Sequence, residues 1–168
     1  NISSLHLFSR NDRYKADMIE IIKDTKELAL LETAWNELAD RFRTPLLRYD
    51  WFYSCANAFC PPDQLRVFVL EQNGRITGIA PLALVSKVPL AHFEILGSYR
   101  LYYPCGLLYE NKASLRDLVD ALMLQGVPML LGRISTDGPE WAAFKEMGSK
   151  RGYAFVRKAN GAPFLNIS

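Results

Sequence analysis

The chain has 168 residues, enough for one domain or at most two small ones. Apolar residues make up 49% and aromatics 12%, which excludes a disordered chain, and a domain of this size buries roughly 70% of its unfolded surface without disulfide staples. Lys and Arg number 20 against 18 Asp and Glu, so there is no basic excess of the kind that marks a nucleic-acid binder.

Residues 1–17 read as an N-terminal extension, and the domain reads as starting at Met18. Residues 18–22 are apolar-rich and predict a short strand. Asp24 or Thr25 can cap the helix that follows, because their side-chain oxygens accept free N–H groups of a first turn. Leu28, Leu31, Trp35, Leu38 and Phe42 recur at helical spacing and predict one helix over 26–42. Thr44-Pro45 stops it, since the residue before proline avoids helical angles. Asp50 is the predicted cap of a second helix over 51–59, which Pro61-Pro62 ends.

The strongest local pattern comes next. Two strand-like runs, 65–72 and 75–87, flank Asn73-Gly74, the preferred two-residue hairpin turn. Pro81 lies inside the second run, so a bulge or an unpaired edge is expected there. Residues 91–96 predict another strand, followed by a loop over 97–106 and a further extended stretch over 107–111. Leu115, Leu118, Val119 and Leu122 mark the apolar face of a helix over 112–125, closed by Gly126. Residues 129–134 are apolar apart from Arg133 and predict a central strand. Asp137-Gly138-Pro139 opens a last helix carrying Trp141 and Phe144. Two strands, 153–158 and 163–167, close the chain around Asn160-Gly161. The expected order is β-α-α-β-β-β-α-β-α-β-β: an α/β (α+β) domain with a mixed sheet of about seven strands and helices on both faces.

Three cysteines (Cys55, Cys60 and Cys105) include no C-x-x-C pair and read as small hydrophobes in a reducing, cytoplasmic-type compartment. With only His6 and His92 besides, no metal site is expected. No apolar run approaches the roughly 20 residues of a membrane span, so none is expected.

That element order resembles the Gcn5-related N-acyltransferase (GNAT) fold over residues 18–168. The detail is similar to the acetyltransferases of cellulose and exopolysaccharide biosynthesis of the CelD/BcsL type. The residues that carry this are Trp35 and Leu38 in their helix, Thr44-Pro45 with Tyr49-Asp50-Trp51, Gly78-Ile79-Ala80-Pro81-Leu82, Ile95-Leu96-Gly97-Ser98 and Ala162-Pro163-Phe164-Leu165. Proteins of that type resemble two GNAT-like lobes in tandem, so the chain reads as the first lobe of a longer protein. A second lobe of the same chain is then an expected partner, and a small-molecule or saccharide acceptor the expected ligand.

The resemblance implies acetyl-CoA or another acyl-CoA bound where the strands over 91–97 and 129–134 part. It places Leu96, Gly97, Lys112 and Arg133 as cofactor-binding candidates. GNAT folds hold the pyrophosphate on a glycine-rich loop at the next helix start, where backbone N–H groups and the helix dipole favour anions. The corresponding stretch 101–114 has Gly106 alone, and Glu110 precedes the helix. Tyr102 and Tyr103 are candidate general acids for the departing thiolate. His92 is a candidate base for the amine proton. Cys105 is a lesser nucleophile candidate. Tyr49, Trp51, Tyr99 and Arg100, with Arg48 beside them, are candidates for the acceptor site. Two readings follow: an N-acyltransferase acting on an amine, or a non-catalytic GNAT-like lobe that shapes an acceptor site or docks a partner.

Overall fold

The computed structural model describes residues 18–87, 90–101 and 106–151; the side chains of Lys87, Tyr99 and Arg151 are not described. The expected strands over 153–158 and 163–167, the extension 1–17, and Tyr102, Tyr103 and Cys105 lie outside the described residues.

The chain opens with β1 (Met18–Ile22) and α1 (Thr25–Ala29). Asp24 caps α1, its Oδ1 accepting the N–H groups of Lys26 at 2.9 Å and Glu27 at 2.8 Å. The single helix expected over 26–42 is instead α1, α2 (Glu32–Ala39) and a 3-10 turn at Asp40–Phe42. The break is a tightening, with Leu30 and Leu31 donating to Glu27 and Leu28 at i−3 spacing. Such a turn brings residues i and i+3 onto one side, and Leu28 and Leu31 are both buried. Arg43, at φ 51°, ends this segment before Thr44-Pro45.

Asp50 does not cap the next helix, which is α3 (Tyr49–Phe59) with Arg48 at the cap position and Asp50 in the first turn. Asn36 of α2 substitutes from across the core, its Oδ1 accepting the Tyr49 N–H at 3.2 Å. Trp35, fully buried, donates its Nε1–H to the Leu47 carbonyl at 2.9 Å. The two contacts clamp α2 to the start of α3. Trp35→Phe is expected to cost about 1–3 kcal/mol, because it leaves a buried carbonyl unsatisfied while keeping most of the ring's packing. Urea unfolding measures this.

The sheet grows from β2 (Leu65–Gln72) and β3 (Arg75–Lys87). Asn73 and Gly74 both take positive φ, 55° and 74°, as the expected hairpin turn requires. No bulge forms at Pro81; the register shift lies nearer the hairpin turn, where Leu70 faces Gly78, Glu71 faces Ile76, and Thr77 is the extra residue on β3. β4 (Leu90–Ile95) pairs antiparallel with β3, and β5 (Leu108–Tyr109) then pairs with an earlier part of the same β3 edge. Between them the chain leaves the sheet through α4 (Ser98–Leu101), a short helix within the expected loop. Pro81 faces this departure point: its carbonyl accepts the Leu96 N–H at 2.9 Å, and the N–H it lacks would face the same edge. β3 is therefore an interior strand rather than an edge, and Pro81 falls between its β4 and β5 pairings.

After α5 (Lys112–Met123) and Gly126 at φ 64°, β6 (Met129–Leu130) joins β4 in parallel, and α6 (Pro139–Arg151) packs on α5. The described sheet is six-stranded and mixed, in the order β1-β2-β3-β4-β6 with β5 beside β3. The strand expected over 129–134 is confined to Met129–Leu130, and Arg133 sits in a turn at φ 64° rather than in a central strand.

Alternation decides which side chains reach which layer. A Cβ on Gly78 would meet Leu118 of α5 at 3.4 Å, so Gly78 and Ala80 mark the α5 side. Phe93 meets Phe68 edge-on at 5.5 Å on that same side. His92 and Glu94, its neighbours on β4, therefore point to the opposite face, toward α3.

Candidate functional site

Where β4 leaves β3, the face toward α3 carries a groove of about 490 Å³. Phe59 at the end of α3, Gln64, Val85, Glu94, Leu96 and Arg100 are among the residues that line it. This is the size of a small-molecule site, and its lining mixes apolar side chains with Gln64, Ser86, Glu94 and Arg100. Glu94 is the polar residue with a built partner. Its Oε1 lies 2.7 Å from Nε2 of His92, and the side chains are 12% and 17% exposed. Residues two apart on a strand share a face, so β4 sets this pair side by side. His92 also approaches the Leu90 carbonyl through Nδ1 at 3.4 Å. Glu94 is the member of the pair that lines the groove, and a carboxylate backed by an imidazole can take a proton from an amine bound there.

The β4–β6 ladder ends at Glu94 opposite Leu130. Beyond it β4 turns into α4, and a Cβ on Gly132 would come to 4.0 Å from Ser98 Oγ. The β4–β6 pairing thus ends beside the start of α4. Leu96 is 3% exposed and spends its N–H on Pro81. Gly97 takes φ 76° and lies against Cys55 of α3. Of the four cofactor candidates, Leu96 and Gly97 reach this junction directly. Lys112 stands exposed in the first turn of α5, and Arg133 is half-buried in its turn.

The start of α5 does not fit a CoA diphosphate. Asn111 Oδ1 accepts the N–H groups of Ala113 at 2.8 Å and Ser114 at 3.1 Å, and Ser114 Oγ accepts the Asn111 N–H at 3.0 Å. This reciprocal cap consumes donors that an anion would need. Glu110 adds a carboxylate at the helix entrance, where Arg41 and Arg75 reach it at 3.1 and 3.8 Å.

The acceptor candidates divide. Arg100, exposed on α4, lines the groove. Tyr49 is 5% exposed, stacks on Tyr53 at 5.3 Å and meets Trp35 edge-on at 6.1 Å, so its ring belongs to the core. Trp51 is half-buried against the same core. Arg48 pairs with Asp40. Glu94 was not singled out by its sequence context; the alternation that places it beside His92 was there to be read.

Burial, then the neighbouring Tyr53, Glu32 and Asp50, pushes the Tyr49 phenol up to about 12. Burial and Glu140, which accepts the Tyr109 hydroxyl at 3.3 Å, push Tyr109 up to about 12 as well. A phenol with a raised value in the fold favours folding while it is neutral. Its contribution is complete below the ordinary value near 10 and fades as pH rises toward 12. Stability is therefore expected to fall between pH 10 and 12, by on the order of 1–2 kcal/mol through Tyr49 alone. Urea titrations across that range should show Tyr49→Phe losing less stability with rising pH than the native chain.

Among the described residues, no group of three or more His, Cys, Asp or Glu is placed to hold a metal ion, and no helix is long and apolar enough to cross a membrane. No family model and no curated protein matches the chain. Solved structures do. A candidate acetyltransferase from Arthrobacter sp. FB24 is similar over 94% of this chain and 98% of its own, at 14% identity and a TM-score of 0.50. Wild-type TTHA1254 from Thermus thermophilus is similar over 89% of this chain and 99% of its own, at 16% identity and a TM-score of 0.47. An integron cassette protein of V. cholerae is similar over 90% and 93%, at 11% identity and a TM-score of 0.48. The likeness to the Arthrobacter protein is a likeness of fold: the described residues form a mixed α/β sheet of six strands, close to the about seven expected.

Proposed function

We propose that the chain serves GNAT-type N-acyl transfer and supplies its acceptor side. The acceptor is an amine bound in the groove beside β4, and the His92–Glu94 pair takes its proton. The observation that carries this is the 2.7 Å imidazole–carboxylate contact whose carboxylate lines the groove. The fold shared with the Arthrobacter protein, itself described as an acetyltransferase, supports the reaction class. Acyl-CoA, the donor that this class implies, supplies an acyl group as a thioester. The start of α5, closed by its own cap and by Glu110, does not fit the donor's diphosphate. An amino sugar of a polysaccharide precursor is one acceptor consistent with the CelD/BcsL resemblance.

The closed start of α5 favours a second reading, in which this is a non-catalytic lobe that shapes an acceptor site while a second GNAT-like lobe holds the donor. One pair of measurements separates the two. The protein is titrated with acetyl-CoA by calorimetry, and then incubated with acetyl-CoA and a panel of amines while free thiol is followed. Saturable binding with amine-dependent thiol release establishes the acyltransferase. Amine binding without acetyl-CoA binding establishes the acceptor lobe. If neither ligand binds, both readings fall.

A further inference from the structure

The groove holds two opposite charges on different elements. Glu94 projects from β4, and Arg100 stands on α4 beyond the Gly97 turn. Glu94 already has His92 as its partner. Among the described residues, no carboxylate lies within ion-pair distance of Arg100. An arginine guanidinium is a planar fork of donors that matches carboxylate and phosphate oxygens in pairs. Set in the same groove as Glu94, it is placed to receive an oxyanion that arrives with the ligand.

We propose that the acceptor is a small molecule carrying an oxyanion, carboxylate or phosphate, on the same skeleton as its amine. The ammonium end faces Glu94 and His92, and the oxyanion faces Arg100. This rests on the acceptor reading of the groove and narrows it to a substrate class. Arg100 is then a specificity residue: a ligand lacking the anion leaves the guanidinium unmatched, and one lacking the amine leaves Glu94 unmatched. The groove, at about 490 Å³, has room for such a molecule with a modest side chain.

The test uses matched probes and reads binding alone, so it does not depend on turnover. Ligand-observed NMR compares phenylalanine with phenethylamine for the carboxylate arm, and O-phosphoethanolamine with ethanolamine for the phosphate arm. In at least one arm the anionic probe is expected to bind about tenfold or more tightly than its partner, the size of one charge-assisted hydrogen bond. Arg100→Met should erase that preference, and Glu94→Gln should weaken the anionic probe and its partner alike. The arm that shows the preference identifies the anion. The proposal is overturned if the plain amines bind as well as their anionic partners, if the preference survives Arg100→Met, or if no probe binds at tens of millimolar. Acylation of plain amines with no anionic preference would overturn this proposal and leave the proposed function standing. Anionic preference without any acyl transfer would uphold this proposal with the acceptor-lobe reading and overturn the acyltransferase one.

Discussion

Glu94→Gln is expected to lower acyl transfer to an amine by about 10²–10⁴-fold, the usual contribution of a positioned base. The substitution keeps the side chain's length and leaves an oxygen or nitrogen within reach of His92, so the strand and groove are preserved. What it removes is the negative charge that stabilises an imidazolium or an incoming ammonium. The loss should fall mainly on kcat, since proton uptake matters most in the transition state. A loss confined to KM would show that Glu94 only anchors the ground-state ammonium. His92→Gln separates the partners further: if the imidazole is the group that takes the proton and Glu94 orients it, both variants lose comparable rate, and the double variant loses little more. Unchanged rates in both single variants would remove the pair from the chemistry.

How much of this was legible in the sequence depended on whether the deciding interaction was local. Asn73-Gly74 announced its hairpin because a two-residue turn with positive φ at both positions is specified by those two residues. The apolar stripe of α5 and its closing Gly126 were equally local. The cap of α3 was not, since the acceptor for the Tyr49 N–H belongs to Asn36 on another helix. Nor was the brevity of β6: residues 131–134 are apolar enough for a strand, yet the pairing with β4 ends at Leu130, where β4 turns away into α4. Strand length is set by the neighbour, and the neighbour's departure at Gly97 is a tertiary event. The same turn decides the candidate site. The lack of a glycine-rich phosphate loop was visible in residues 101–114, and the capping box of Asn111 and Ser114 gives it a physical form. The His92–Glu94 contact needed only the period of a strand, but a glutamate on a strand is ordinarily read as facing solvent.

Gly97→Ala is expected to destabilise the fold by about 2–4 kcal/mol, for two reasons that can be measured apart. The first is conformational: φ is 76°, a region that costs an alanine roughly 1–2 kcal/mol. The second is steric. A Cβ at Gly97 would sit 2.5 Å from Cys55 Sγ and 3.3 Å from Cys55 Cβ, and Cys55 is 2% exposed on a helix packed into the core. Overpacking of that kind costs about 1–3 kcal/mol. At roughly 2–4 °C per kcal/mol for a domain of this size, thermal unfolding should move down by about 5–15 °C. Cys55→Ala combined with Gly97→Ala removes the sulfur and should recover about 1 kcal/mol or more of the steric share, while the backbone share persists. A Gly97→Ala protein as stable as the native one would mean that the turn does not press on α3. The consequence for function runs through α4. Gly97 is the hinge at which β4 stops following β3, so its geometry sets where Arg100 stands relative to Glu94. Relief of the clash through Cys55 restores packing but not the turn angle. The double variant is therefore expected to regain stability while still losing the discrimination between anionic and plain amines that the native groove shows.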